Sequence, residues 1–325
     1  MSAGRLFNPR QRARALRAAG VLGLNQRNAR YIMEGNQRRF YPRVDDKVLT
    51  KTLAIEAGMA VPELYGVIDN QGDTGRIPEI VADHQSFVVK PAHGSGGDGI
   101  IVVSGRRRHR YRLVDGQIWD GDTLEFHVSN IVGGQYSLTG EPDAALIEYC
   151  VQFDPLFEQV SFQGVPDIRV ITYRGYPVMA MVRLPTKASH GKANLHQGAV
   201  GAGIDMAGGV TLSGVSGNDL VEEHPDTYHP IAGLRIPEWD FILTSAARAI
   251  DVTSLGYVGV DMVLDRDLGP LILEMNARPG LNIQLANRAG LRPRLETVDR
   301  GYDAAATPEE RAHFAREHFP AHRSR

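Results

Sequence analysis

Three pairs of short β-branched runs, each pair joined by a turn or a glycine-rich loop, most constrain what this chain can fold into. The first pair is SFVVKP and IIVVS, the second is DIRVITY and VMAMVRL, and the third is GYVGVDMVL and PLILEMN. Short runs rich in Val and Ile and separated by turn residues are typical of β-hairpins. The sequence therefore predicts antiparallel strand pairs at three separate places.

The loop of the first pair, AHGSGGDG, begins two residues after Lys90. A Walker loop or a dinucleotide fingerprint needs a helix after its glycines, with the helix N-terminus at the phosphate. A β-branched run follows here instead, and neither spacing fits, so both motifs are excluded. A glycine-rich hairpin tip can still fold over phosphates, because residues without Cβ let backbone N–H groups approach an anion. Lys90 would then reach the same oxygens; a flexible surface hairpin is the alternative.

Oxygen-bearing side chains recur in the third pair. Strand alternation places Ile272, Glu274 and Asn276 on one face, and Asp261 lies on the preceding strand. Such ligands suit Mg²⁺, which takes a few protein oxygens besides phosphates and water. Two carboxylates brought together without a cation would repel each other. The sequence therefore predicts a magnesium site, with ordinary surface residues on a hairpin as the alternative.

Between the hairpins, two helices and one irregular region can be predicted. Asp45 or Asp46 can cap a helix that ends near Gly58, and Pro237 begins another. Residues 187–217 are rich in glycine and lack hydrophobic periodicity, so we expect a mobile lid there. The apolar side of the first helix is predicted to contain Val48, Leu49, Thr52, Leu53 and Ile55.

The composition is that of an ordinary globular protein of 325 residues, with 42% hydrophobic residues and a formal net charge of −2. That length allows one large domain or two modest ones. The balanced charge gives no reason to expect a nucleic-acid or membrane partner. No apolar run approaches the ~20 residues of a membrane-spanning helix, and the basic N-terminus lacks a secretory apolar block. With Cys150 as its only cysteine, the chain is expected to stay in the reducing cytoplasm.

The first 43 residues depart from this balance. They contain ten arginines and a single acidic residue, Glu34, which is a local excess of nine positive charges. A solvated helix face, or one packed against acidic surface, is the simpler explanation. Contact with an acidic acceptor, with phosphates or with anionic lipid is the alternative.

Seven blocks run in order through the chain: DKVLTKTLAIEAGMAVPEL, FVVKPAHGSGGDGI, IEY, DIRVITYRGYPVMAMVR, KANLHQG, GVDMVL and LEMNARPG. Together they resemble the ATP-grasp domain of RimK-like alpha-L-glutamate ligases. The resemblance implies an α+β ATP-grasp fold in which two α+β subdomains clamp the nucleotide, after a short N-terminal helical segment. The implied parts are an Arg-rich segment over 1–44, an ATP-grasp domain over 45–300 and a charged tail over 301–325. Within the domain, a glycine-rich hairpin subdomain spans about 85–150 and a metal-binding subdomain about 151–300.

The resemblance also implies roles for single residues. Lys47 and Lys90 would contact the nucleotide phosphates, and Glu148 and Tyr149 would form the hinge that meets adenine. The cofactors implied are ATP and two Mg²⁺ ions, with Mn²⁺ as an alternative. The implied nucleotide-binding residues are Lys47, Lys90, Gly94, Ser95, Gly96, Gly97, Glu148, Tyr149, Asp167, Lys192 and Asn194; the magnesium ligands are Asp261, Glu274 and Asn276; the basic groups near the reacting phosphate and carboxylate are Arg169, Arg183 and Arg278.

The family chemistry implied is amide-bond formation through an acyl phosphate. Glutamate or a similar amino acid would be joined to an amine acceptor, which could be a peptide or a protein, and the enzyme could be a homo-oligomer. Arg278 gives EMNAR a likeness to the E-x-N-x-R of the carboxylase branch, so another carboxylate or a carboxyphosphate intermediate stays open. A nucleotide-binding regulator without turnover is the remaining alternative.

Overall fold

The computed structural model describes residues 9–94, 96–137 and 140–321, and the chain forms two compact units. Unit 1 comprises Met1–Arg38, Leu156–Asp261 and Asn276–Arg325, and unit 2 comprises Arg39–Pro155 and Met262–Met275. Within the described ranges, every helix is too short or too polar to cross a bilayer.

The elements are numbered in chain order. The α-helices are α1 (Pro9–Ala18), α2 (Leu24–Gln26), α3 (Met33–Gly35), α4 (Pro42–Asp45), α5 (Lys47–Glu56), α6 (Ile77–Ile80), α7 (Gly121–Val132), α8 (Trp239–Ala247), α9 (Ala249–Thr253), α10 (Ile283–Ala286), α11 (Arg292–Gly301) and α12 (Pro308–His318). The strands are β1 (Leu64–Ile68), β2 (Phe87–Pro91), β3 (Ile101–Arg107), β4 (Arg110–Leu113), β5 (Ile118–Asp120), β6 (Ala145–Tyr149), β7 (Asp167–Tyr173), β8 (Tyr176–Leu184), β9 (Val200–Asp205), β10 (Val210–Ser216), β11 (Asp219–Val221), β12 (Tyr257–Asp265) and β13 (Gly269–Asn276).

Unit 2 is built on a six-stranded sheet in the order β1-β6-β2-β3-β4-β5. Strands β2 and β3 pair antiparallel with Phe87 opposite Val103, which confirms the first predicted hairpin. Helix α7 covers the sheet with Leu124, Val128 and Ile131, whose spacing of four and three residues puts them on one helical face. Their burial with the sheet residues forms the core of this unit.

The second sheet has seven strands in the order β11-β10-β9-β8-β7-β12-β13. Most of its residues belong to unit 1, and residues Met262–Met275 of the β12 and β13 hairpin belong to unit 2. Strands β7 and β8 pair antiparallel from Asp167 opposite Arg183 to Tyr173 opposite Tyr176, as predicted. Strands β7 and β12 are buried at every position. The charged residues on them must therefore find partners inside the protein, because an unpaired buried charge is costly.

The region predicted to be a mobile lid, residues 187–217, is a loop followed by two sheet strands, so the prediction was wrong for its second half. Strand β9 pairs with β8, and β10 pairs with β9. Its glycines serve close packing: a Cβ on Gly203 would lie 2.7 Å from the Ala286 carbonyl oxygen, and one on Gly214 would lie 2.8 Å from the Val200 side chain. Glycine content misled the prediction because tight packing and mobility both favour a missing side chain.

The two ends of the described chain differ in packing. Every residue from 10 to 19, which includes nearly all of α1, is exposed. Helix α12 begins at a capping box in which Thr307 and Glu310 bond reciprocally, and it buries Ala312 and Ala315. Phe319 follows it with only 3% of its surface exposed. The charged C-terminal segment therefore contains a helix that is packed on one face.

Candidate functional site

The carboxylate of Glu148 in unit 2 lies between two lysines. Its Oε1 is 2.5 Å from Lys90 Nζ, and its Oε2 is 2.5 Å from Lys51 Nζ. All three side chains are buried, and Lys51 also donates to the Pro62 carbonyl oxygen at 2.5 Å. Burial by itself raises the pKa of the Glu148 carboxyl, but the two ammonium groups outweigh it and lower the pKa below its usual value. We call these three residues the glutamate–lysine cluster.

Lys51 was missed by the sequence prediction. The expected apolar side of α5 included Ile55, yet Ile55 is exposed and the buried positions are Thr50, Lys51 and Ala54. Lys51 points into the protein, where its ammonium group pairs with the buried carboxylate of Glu148. The available sequence signal was a lysine one turn after Lys47 on a helix of mainly apolar residues.

The glycine-rich loop begins at a tightly anchored root. Lys47 Nζ donates to the carbonyl oxygens of Gly94 at 2.6 Å and Ala92 at 3.3 Å. Gly94 is required where it stands, because a Cβ there would lie 2.4 Å from Pro91 Cγ. Gly96 and Gly97 have φ of 67° and 79°, in the left-handed region that glycine enters without strain, and both lie in a turn. Ser95, which was predicted with them, lies outside the described residues.

Four charged residues of unit 1 form an arginine–aspartate cluster. Arg169 Nε donates to Asp261 Oδ1 at 2.6 Å, and its Nη2 bonds to Asp261 Oδ2. Arg183 Nη2 donates to Asp261 Oδ2 at 2.8 Å and also bonds to Asp167, its partner across the β7 and β8 ladder. Burial raises the pKa of Asp167 to about 6, with Asp261 adding to the effect and Arg183 opposing it.

The segment after β13 is held by the N-terminal part of unit 1. Asn276 Oδ1 accepts from the backbone N–H of Arg278 at 2.8 Å, and the Arg278 side chain is exposed. The buried Arg27 donates to the Pro279 carbonyl oxygen at 2.7 Å, and Asn36 Nδ2 donates to the Ala277 carbonyl oxygen at 3.1 Å. Part of the Arg-rich segment therefore supports this loop. Contacts between residues about 240 positions apart leave no local signal in the sequence.

The remaining predicted residues lie in loops and at a strand end. Asn194 caps the short 3-10 helix Leu195–Gln197 by accepting from the His196 backbone N–H. Lys192 is half-buried and donates its backbone N–H to Ser189. Burial and a hydrogen bond to Asp265 raise the pKa of Tyr149. Tyr149 and the glutamate–lysine cluster belong to unit 2, whereas Lys192, Asn194 and the arginine–aspartate cluster belong to unit 1.

The predicted magnesium ligands fit that ion by chemistry. Asp261, Glu274 and Asn276 offer carboxylate and amide oxygens, the hard donors that Mg²⁺ prefers. The carboxylate of Asp261 is already neutralised by two guanidinium groups, so a cation there would share its oxygens with Arg169 and Arg183. Among the residues described, His, Cys, Asp and Glu side chains form no group of three that could hold a metal by themselves. The amide of Asn276 would therefore have to contribute.

Comparison with solved structures gives matches of low sequence identity. The ATP-grasp ligase PsnB with a minimal precursor, Mg and ADP is 15% identical, with a TM-score of 0.43 over 82% of this chain and 60% of that one. D-alanyl-alanine synthetase A from Vibrio cholerae is 11% identical, with a TM-score of 0.47 over 86% and 66%. The biotin carboxylase domain of Hydrogenobacter thermophilus 2-oxoglutarate carboxylase is 15% identical, with a TM-score of 0.49 over 85% and 49%.

The chain spans only about 60% of the length of the first of these structures. No curated protein sequence is significantly similar to the chain. The family model of the sugar-transfer associated ATP-grasp proteins matches residues 26–300. That match confirms the predicted α+β ATP-grasp fold and does not single out the RimK-like ligases. The chain belongs to the sugar-transfer associated ATP-grasp family.

Proposed function

We propose that this protein is an ATP-dependent carboxylate–amine ligase that forms an amide bond through an acyl phosphate. The observation that carries the proposal is the placement of two lysines next to the glycine-rich loop of unit 2, in a chain of the ATP-grasp family. Lys90 is held by Glu148, Lys47 anchors the root of the glycine-rich loop, and Gly96 and Gly97 form a left-handed turn without side chains in that loop. Binding the phosphates of ATP is the function that this arrangement supports best.

The charged residues of unit 1 are proposed to stabilise the negative charge on the phosphate that is transferred. Asp261, Glu274 and Asn276 are the proposed ligands of Mg²⁺, which when bound neutralises negative charge on the phosphates. Arg169 and Arg183 keep Asp261 charged and oriented. The exposed Arg278 is proposed to bind a carboxylate, because a guanidinium matches carboxylate geometry with two parallel hydrogen bonds.

The proposed reaction needs no nucleophile from the protein. An oxygen of the substrate carboxylate attacks the γ-phosphorus, and ADP leaves with the electrons of the bond that breaks. The nitrogen of the amine then attacks the acyl carbon, phosphate leaves, and the proton of the amine passes to solvent. The one thiol agrees with this route, because burial raises the pKa of Cys150 to about 11 and keeps it protonated at neutral pH.

The finer identification is also a proposal. Glutamate or a similar amino acid is our candidate for the amino acid added, with a peptide or protein as the candidate amine acceptor, and the cytoplasm is the candidate location. Arg278, directly after the predicted metal strand, favours a second candidate, an ATP-grasp enzyme that activates a different carboxylate or bicarbonate. Because the family is described as sugar-transfer associated, amino sugars belong among the acceptors to be tried.

The test is ADP release with a panel of carboxylates paired with amino acids, peptides and amino sugars, followed by the mass of each product. A product whose mass equals the two substrates minus water supports the ligase. Glu274→Ala should abolish Mg²⁺-dependent ADP release and leave a folded protein, because its oxygen is proposed as a metal ligand. ADP binding without ADP release under any condition would favour a regulator, and full activity of Glu274→Ala would contradict the metal assignment.

A further inference from the structure

His93 stands at the root of the glycine-rich loop and is bound to a buried carboxylate. Its Nδ1 lies 2.7 Å from Asp143 Oδ1, and its backbone N–H donates to the same carboxylate at 3.0 Å. The Asp143 side chain is 0% exposed and also accepts from the backbone N–H of Ala144 at 2.8 Å. A histidine whose ring is oriented by a carboxylate is the usual arrangement where an imidazole binds or transfers a group.

The backbone on both sides of His93 is fixed as well. The Ala92 N–H donates to the Ala144 carbonyl oxygen at 2.8 Å. Lys47 Nζ reaches the carbonyl oxygens of both Ala92 and Gly94, the two neighbours of His93. Because the backbone around His93 is fixed, its side chain loses little conformational entropy when a ligand binds. The entropy cost of ordering therefore offsets little of the binding free energy of the contact.

The second ring nitrogen is accessible. A carboxylate only accepts hydrogen bonds, so Nδ1 carries a proton toward Asp143. Nε2 is 4.0 Å from Asp46 Oδ2, which exceeds hydrogen-bonding distance, and 47% of the His93 side chain is exposed. In the neutral ring Nε2 presents a lone pair, whereas in the imidazolium form it donates a hydrogen bond. Only the imidazolium form can therefore bind an anion through Nε2.

We propose that His93 is a ligand of the nucleotide phosphates, held in place by Asp143 as its positioning residue. The proposal rests on the proposed function, since it assigns a further phosphate contact to the same nucleotide site. It identifies the ligand chemistry as a polyphosphate, because an imidazolium beside the glycine-rich loop, Lys47 and Lys90 offers donors and positive charge together. His93 is not part of the phosphate loops that the Walker or dinucleotide motifs define.

The charges around His93 set the expected pH dependence. Asp143 and Asp46 are the carboxylates nearest the ring, and Lys47 and Lys90 are the ammonium groups of the same neighbourhood. Because the bond to phosphate requires the imidazolium form, its contribution is present at acidic pH. Raising the pH favours the neutral ring, which cannot donate through Nε2, so the contribution should become weaker.

The experiment is calorimetric titration of the full chain with ADP and with adenosine at pH 6.0 and pH 8.0. His93→Gln is compared with the wild type and with His109→Gln, a change of an exposed histidine in the same unit. Loss of one charge-assisted hydrogen bond should weaken ADP binding by up to about tenfold, and by more at pH 6.0 than at pH 8.0. Taking the ratio of the two proteins' affinities cancels protonation of ADP itself. Adenosine binding, and every affinity of His109→Gln, should equal the wild type.

Asp143→Asn tests the positioning role. The amide can still accept from the backbone but no longer pairs with an imidazolium, so ADP affinity should fall about as far as in His93→Gln. The double variant should be no weaker than either single one, because both remove the same interaction. Additive losses would show that Asp143 only supports the fold.

Equal ADP affinity of His93→Gln and the wild type would overturn the proposal even if Asp143→Asn fails to fold. A wild type that binds ADP no better than adenosine would instead overturn the proposed function.

Discussion

At the scale of single residues, the charged side chains of the candidate site are buried, and each lies next to side chains of opposite charge. Glu148 with its two lysines and Asp261 with its two arginines both place one carboxylate between two cations. Buried charges are tolerated only when they are paired and hydrogen-bonded, so each group acts as a unit. Removing Glu148 would leave two buried ammonium groups without a carboxylate, and removing either lysine would leave one Glu148 oxygen without its partner.

Lys51→Met should therefore destabilise the protein although Met fills a similar volume. Glu148 Oε2 would lose its partner and the Pro62 carbonyl oxygen its donor. Lys90 still compensates the charge of Glu148, so the loss is that of one charge-assisted hydrogen bond, about 1.5 to 3 kcal/mol, which urea unfolding would measure. Lys187→Met, on an exposed lysine, is the control and should change stability by less than about 0.5 kcal/mol. Equal midpoints for the two variants would mean that the cluster contributes no stability.

The raised pKa of Asp167 makes a prediction about pH. Its carboxyl titrates near pH 6 in the folded state against 3.8 in the unfolded chain. The folded state therefore binds the proton more tightly, so the stabilisation is complete below pH 4 and is lost as the pH rises through 6. Two pKa units correspond to about 3 kcal/mol. Wild-type stability minus that of Asp167→Asn should fall by roughly this amount between pH 4 and pH 7. Parallel stability curves would show that Asp167 titrates normally.

At the scale of elements, the hairpins could be predicted from sequence and the buried partners could not. The two strands of a hairpin are close in sequence and are joined by turn residues. The pairing of β2 with β3 and of β7 with β8 could therefore be predicted. Lys51 and Arg27 were missed because their partners Glu148 and Pro279 lie far along the chain. The lid was predicted wrongly because Gly203 signals close packing with α10, not disorder.

The packing role of Gly203 can be tested directly. Gly203→Ala would place its methyl group 2.7 Å from the Ala286 carbonyl oxygen, so backbone must shift. Overpacking of this kind costs about 1 to 3 kcal/mol. Gly23→Ala is the matched control, because a Cβ there meets nothing within 4 Å and its φ is −81°. Thermal unfolding should show a lower midpoint for Gly203→Ala alone. If both variants have the same unfolding midpoint as the wild type, strand β9 is loosely packed, which would again favour the lid prediction.

At the scale of the whole molecule, positive charge is concentrated on two exposed surfaces of a chain whose formal net charge is only −2. One is α1, with Arg10, Arg12, Arg14 and Arg17, and the other is the β3 and β4 hairpin, with Arg107, Arg108, Arg110 and Arg112. Arg27 does not belong with the first surface, because it is buried against Pro279. An exposed basic helix attracts acidic partners over about one Debye length, ~8 Å at physiological ionic strength.

We predict that α1 steers an acidic acceptor to the enzyme. Replacing its four arginines with Gln should raise the acceptor KM several-fold at low salt and flatten the rise of KM with salt, because the attraction being screened is gone. ATP binding should stay nearly unchanged, since the residues proposed to bind its phosphates lie in unit 2 and not in α1. Changing Arg107, Arg108, Arg110 and Arg112 to Gln removes the same net charge from the other surface and serves as the control. If both quadruple variants raise KM equally, overall charge attracts the acceptor and α1 has no special part. If neither changes KM at any salt concentration, α1 is a solvated helix and the acceptor is not drawn by its charge.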